Sequence, residues 1–213
     1  MEPLAWLLGA GGLALGLAAD RFATRWPEHD EEHPPGRAAG WRTATVALAG
    51  ALAFGLLPVR FGSDPVAVVV FGAWFVTLVL GLATDLDQRL LPNELTLPVI
   101  PVAVLYAVSG ANPLVGNEVV LAIVAALAIP AVLYLPSIPF GAGAFGLGDV
   151  KLLVGVGLMA GGSLALGSVI FALALAGVVI VALLVTRRIG RRTYIPFGPF
   201  FIAGALWAVL LRS

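Results

Sequence analysis

Two acidic residues stand where charge is costly. Asp149 opens the apolar stretch AFGLGDVKLLV at 144–154, directly after a glycine-dense loop. Asp85 closes another apolar run, in TDLDQRLLPNELTLP at 84–98, with Asp87 two residues on. An Asp at the centre of a bilayer-spanning helix costs about 2.5–3.5 kcal/mol on insertion scales, so such residues are usually kept for function. Two carboxylates that meet at a membrane face can do acid–base chemistry, one accepting a proton while the other donates one. Asp85 and Asp149 are the expected pair. Residues i and i+2 of a helix point to different sides, so only one of Asp85 and Asp87 can aim at a given partner. Asp85 lies closer to the apolar run, and Asp87 is expected nearer water. Acids at a helix C-terminus oppose the macrodipole, so local structure does not favour them there.

Asp87 and the residues around Asp149, namely Gly146, Gly148 and Lys151, are expected to shape the loop or meet a substrate. Gly146 and Gly148 are read as permitting positive φ and close backbone approach beside the carboxylate. Lys151 is read as an interfacial anchor whose ammonium snorkels to water. Two other motifs fail on their chemistry. GxGxxG occurs literally at Gly141, Gly143 and Gly146, but a dinucleotide site needs a preceding strand in a βαβ unit, and an apolar helix precedes it here. HDEEH at 29–33 invites comparison with HExxH, yet the position after the first histidine is Asp30 where a glutamate base is required. Pro27, Pro34 and Pro35 leave barely more than one turn between them. A solvated acidic loop, Glu28 to His33, is the expectation.

The elements that hold the acids must be membrane helices. The 213 residues are 60% hydrophobic and 11% charged, with a mean hydropathy of +1.03, whereas soluble domains carry about a quarter charged residues. Apolar runs place spans at 3–19, 43–59, 65–84, 95–109, 116–135, 149–160, 164–186 and 196–211. The expected fold is all-α, a single polytopic membrane domain over 1–213 with about eight transmembrane helices, N-out and C-out. With the N-terminus outside, ten of the twelve basic residues fall in cytoplasmic loops and only Arg60 and Arg212 fall opposite, as the positive-inside rule requires. Asp85 and Asp149 then share the cytoplasmic face. A short cytoplasmic loop is expected over 20–42. The first run lacks a basic n-region and is read as a mature helix rather than a signal peptide. Gly12 and Gly16 form a small-xxx-small pair read as packing. Pro130 is expected to interrupt a helix, and Pro196 to start the last one near an interface.

Composition also excludes. A net charge of zero gives no polyanion-binding surface, hence no nucleic-acid partner. No cysteine means no disulfide, thiolate metal site or thiol nucleophile. With two histidines, both in one polar loop, a histidine-rich metal site is not expected.

Three segments together resemble the bacterial type IV prepilin peptidases, GxGD-type intramembrane aspartic proteases. TDLDQRLLPNELTLP at 84–98 looks like that family's first catalytic segment, GLGDVKLL at 146–153 like its second, and IPFGPF at 195–200 like the entry to its final helix. The resemblance implies a multi-pass protein of the bacterial inner membrane with Asp85 and Asp149 catalytic and Gly146 and Gly148 matching the family's glycines. It implies cleavage of the basic leader from prepilins or pseudopilins, just before a hydrophobic helix and at the cytoplasmic face. Carboxylates held close share a proton, because both cannot easily ionise. One then activates water and the other hydrogen-bonds the scissile carbonyl and serves the leaving amine. Cleavage needs neither metal nor organic cofactor. Many family members carry two CxxC pairs in the first cytoplasmic loop and methylate the new N-terminus with S-adenosylmethionine. This chain lacks those cysteines, so methylation is the activity in question. The competing reading from the residues alone is a proton-coupled transporter with Asp85 and Asp149 as relay groups. It is disfavoured by acids at helix ends rather than the midplane, and by the absence of an inverted repeat in the hydropathy pattern.

Overall fold

The computed structural model describes residues 2–29, 35–140, 145–190 and 195–212, and no strand occurs among them. The helices are α1 (Glu2–Ala23), α2 (Trp41–Phe61), α3 (Pro65–Gln88), α4 (Asn93–Thr96), α5 (Val99–Val108), α6 (Val119–Tyr134), α7 (Leu147–Ala160), α8 (Gly162–Val185) and α9 (Gly198–Leu211). A 3₁₀ segment, Leu135–Phe140, extends α6. Among the described residues, five helical stretches are long and apolar enough to cross a membrane: Glu2–Ala23, Trp41–Phe61, Pro65–Gln88, Val119–Pro139 and Gly162–Val185. The apolar runs at 95–109, 149–160 and 196–211 are also helical but shorter, and the first is split at Leu97 and Pro98 into α4 and α5.

Apolar run length locates the long helices, and local residues set the ends of α3. Asp64 accepts a hydrogen bond from the Ala67 backbone N–H, with Pro65 at the first position of α3, a start that costs no internal bond. At its other end Arg89 adopts a left-handed conformation, φ 56°, and its N–H closes on the Asp85 carbonyl. Pro130 does not break α6, which continues to Tyr134. α1 runs on to Ala23, so Asp20 and Arg21 belong to the helix and the connection to α2 is 24–40 rather than 20–42.

Lipid is as apolar as leucine, so helices associate through close packing rather than hydrophobic burial. α1 and α2 do this with small residues: a Cβ on Gly12 or Gly16 would collide with backbone at Gly50 or at Val46 and Ala47. α3 lies at the centre, packed against α1, α2, α4 and α9. Its Phe71 and Phe75 are fully buried, and Phe71 stacks on Phe61 with centroids 4.5 Å apart. α7 packs against α5, α6, α8 and α9. The end of α3, the start of α7 and the start of α9 thus come together at one end of the bundle. Arg60 and Arg212 meet at the other, where the Arg60 guanidinium donates to the Arg212 carbonyl at 3.2 Å.

Candidate active site

Leu91 ties the three helix ends together. It is buried at 6% exposure in the turn after α3. Its side chain lies 3.1 Å from where a Cβ on Gly81 of α3 would stand, 3.4 Å from one on Gly198 of α9, and 2.8 Å from one on Gly148 of α7. Pro92 follows, which favours extended backbone at Leu91 and turns the chain into α4.

Asp85 and Asp149 are 4% and 8% exposed and line one open cavity of about 330 Å³. They are near enough for the charge of Asp149 to act on Asp85. Asp149 is the third residue of α7, and its carboxylate interacts with the backbone N–H of Gly146, the N-cap. That is one half of a capping box, with the charge favourably placed at a helix N-terminus. Asp85 comes from the last turn of α3, and Arg89 exerts a charge on it. Its Oδ2 is buried and has no hydrogen-bond partner among the described residues. Buried polar atoms are almost always paired, so this oxygen is available to a water or a peptide group entering the cavity.

Gly146, Gly148 and Lys151 line the same cavity as the two acids. The glycines do not act through positive φ. Gly146 sits at φ −76°, and neither is among the residues with positive φ. They act through close approach. A Cβ on Gly148 would stand 2.8 Å from the Leu91 Cβ and 3.2 Å from its carbonyl oxygen, and one on Gly146 would stand 3.3 Å from Asp149 Oδ2. The Lys151 ammonium hydrogen-bonds the Asn93 side chain across the cavity rim, a contact the anchor reading did not include. Gly141 and Gly143 lie outside the described residues.

Asp87 corrects the expectation that placed it near water. It is 6% exposed and faces away from the cavity, as its i+2 position dictates. Its Oδ1 accepts from Arg37 Nε at 2.6 Å, with Arg42 3.6 Å away. Its Oδ2 lies 3.3 Å from the His29 ring. The His29 side chain is only 5% exposed, so the acidic loop is not uniformly solvated; residues 30–34, including most of HDEEH, lie outside the described residues. Two further residues were not legible beforehand. Leu91 is one. Gly198 is the other: it is the first residue of α9, and a Cβ there would stand 2.5 Å from Asp85 Oδ2. IPFGPF marked the segment but not the glycine's contact.

The type IV leader peptidase family matches residues 71–185, more than half of the chain. A prepilin leader peptidase/N-methyltransferase of Burkholderia pseudomallei strain 1026b is 35% identical over 169 residues, covering 78% of this chain and 53% of the relative. Enzymes of the same name from Aeromonas salmonicida strain A449 and Aeromonas hydrophila are 33% identical over 128 residues, covering 60% of this chain and 43% of each relative. The chain therefore spans about half the length of the curated relatives it matches. No solved structure matches it significantly.

Proposed function

The chain belongs to the type IV leader peptidase family, and on that premise we propose that it is an intramembrane aspartic endopeptidase that removes the leader of a type IV prepilin or pseudopilin. The observation that carries this reading is the pairing of two nearly buried carboxylates, Asp85 and Asp149, on one open cavity at a helix-end junction. The relatives' name, prepilin leader peptidase/N-methyltransferase, supports it.

In the proposed reaction one carboxylate is ionised and takes a proton from water as the oxygen attacks the scissile carbonyl. The other is protonated, hydrogen-bonds the carbonyl oxygen as it gains negative charge, and helps protonate the leaving amine. The pair works as a unit and cycles back with one proton between them. The unpartnered Oδ2 of Asp85 suits either contact. The substrate is a basic leader followed by a hydrophobic helix lying in the bilayer.

Eight membrane-crossing helices, N-out and C-out in the bacterial inner membrane, suit this role. The site then faces the cytoplasm with ten of the twelve basic residues, and the Arg60–Arg212 contact lies on the far side. α5, α7 and α9 are short for full spans, and the start of α7 lines the cavity.

The test is mass spectrometry of a prepilin incubated with the purified protein in detergent and S-adenosylmethionine. Loss of the leader supports the peptidase. An added methyl group on the new N-terminus identifies a bifunctional enzyme without the cysteine cluster. Failure of the folded protein to cleave any of several prepilins rejects the assignment.

A further inference from the structure

The last turn of α3 carries two acids, Asp85 and Asp87, and no basic residue. That is the unfavourable end of a helix for negative charge. Helix ends also lack internal partners for their last carbonyls and fray first. Yet this turn must aim the Asp85 carboxylate. Arg89, at the cap, acts on Asp85. For Asp87 the compensating charge comes from the connection between α1 and α2. Arg37 donates through Nε to Asp87 Oδ1 and through Nη2 to Asp20 Oδ1, both at 2.6 Å. Asp20, near the end of α1, is fully buried; it also accepts from Thr43 Oγ1 of α2 at 2.8 Å and pairs with Arg21. Beside it, the Gln88 amide donates to the carbonyls of Ala23 and Pro27 at 3.2 and 3.3 Å.

We propose that Arg37 is a positioning residue for Asp85: by bridging Asp20 and Asp87 it locks the last turn of α3 against α1, and so fixes the direction from which Asp85 enters the cavity. The proposal rests on the peptidase reading for its consequence in catalysis and on geometry alone for its mechanism. Asp87 and Gln88 are held on the side of α3 that faces α1, while Asp85 occupies the side that faces the cavity. A planar guanidinium suits this task, because its fork addresses two carboxylates in fixed directions and never loses its charge. Burial works against the charged guanidinium, but the hydrogen bonds to Asp87 and Asp20 outweigh it and hold its pKa above the ordinary arginine value. Both carboxylates are withdrawn from water; without Arg37, Asp20 keeps Arg21 and the Thr43 hydroxyl, whereas Asp87 keeps the more distant Arg42 at 3.6 Å and the His29 ring, so Asp87 is the buried charge left undercompensated and drawn toward solvent. The route open to Asp87 is rotation or fraying of the turn it shares with Asp85.

The chain has no cysteine, so a single introduced thiol reports position cleanly. In an Asp85→Cys chain, a water-soluble maleimide should label slowly. Adding Arg37→Gln should raise the labelling rate tenfold or more, and Arg37→Lys should fall between. An Ala122→Cys chain, altered at a fully buried position of α6, should stay unlabelled throughout. With Asp85 intact, Arg37→Gln and Asp87→Asn should each lower kcat for prepilin cleavage at least tenfold with KM within twofold. The double variant should be no worse than the worse single, because the residues act as a unit. Equal labelling of the Asp85→Cys chain with and without Arg37 overturns the proposal, as does labelling of the Ala122→Cys chain, which marks general loosening. So does a loss expressed in KM alone. If the parent chain cleaves no prepilin, the peptidase reading fails, and the labelling comparison still decides the role of Arg37.

Discussion

Replacing Gly198 by alanine tests the site geometry most sharply. The first residue of α9 is not among those with positive φ, so alanine suits its backbone. The new methyl would stand 2.5 Å from Asp85 Oδ2, 2.9 Å from its Cγ and 3.4 Å from Leu91 Cδ1. Ordinary contact begins near 3.4 Å, so the carboxylate must retreat by about 0.9 Å, a displacement of the size that costs a catalytic group about 10²-fold. The obstructed atoms are the end of a side chain rather than backbone, and a strained Asp rotamer costs only about 0.5–1.5 kcal/mol. The variant should therefore fold, with a thermal midpoint within a few degrees of the parent, and cleave prepilin with kcat reduced about 100-fold, or about 2.7 kcal/mol in the barrier. Gly204→Ala is the control on the same helix: its methyl would strike the Ser168 carbonyl of α8, lowering stability while sparing the kcat of the folded fraction. The two variants should thus separate in a gel-based cleavage assay read beside a melting curve. A folded Gly198→Ala protein with kcat within threefold of the parent would refute the reasoning, as would a loss explained entirely by its folded fraction.

Asp85→Asn and Asp149→Asn should each remove cleavage by about 10²–10⁴-fold or more while expression and melting persist, since each deletes a proton-transfer group; normal processing by either rules out the pair. Gly148→Ala should be worse than Gly146→Ala. The former meets the Leu91 Cβ and carbonyl, whereas the latter, among the described residues, meets nothing tighter than the Asp149 carboxylate at 3.3 Å, so melting should register about 1–3 kcal/mol of overpacking for Gly148 alone. Leu91→Ala removes the side chain that separates the ends of α3, α7 and α9, and should lower stability by about 2–5 kcal/mol and turnover with it. A thermal shift indistinguishable from the parent would show that Leu91 does not join the three helices.

The two candidate acids stood out in the sequence because each carboxylate sits at the edge of an apolar run, where charge is costly, and two such edges suggest a meeting place. Helix positions followed from apolar run length for the same reason. What the sequence left open is long-range contact, which has no period. Gly198 and Leu91 act on Asp85 and Gly148 across distances of many tens of residues, and a glycine needed for approach looks no different from a glycine in a turn. Gly146 and Gly148 illustrate this: positive φ and close approach were both expected of them, and of the two only the close approach is found.

Asp87 shows a different limit. Its polarity at a helix end argued for water, an inference that holds when no partner is within reach. The partner was Arg37, fifty residues earlier, in a loop whose acids and prolines suggested solvent. Reading the charge balance of the α3 terminus would have raised the question, since two acids in a last turn with no base in it must be compensated from elsewhere. In this chain the compensation for Asp87 comes from a segment that also contacts α1 and α2, so the same ion pairs that neutralise the terminus join three helices, among them the one carrying Asp85. A loop with no metal-binding cysteines is in this way held to the site by charge, and its influence on catalysis should survive chelators and fail when Arg37 is neutralised.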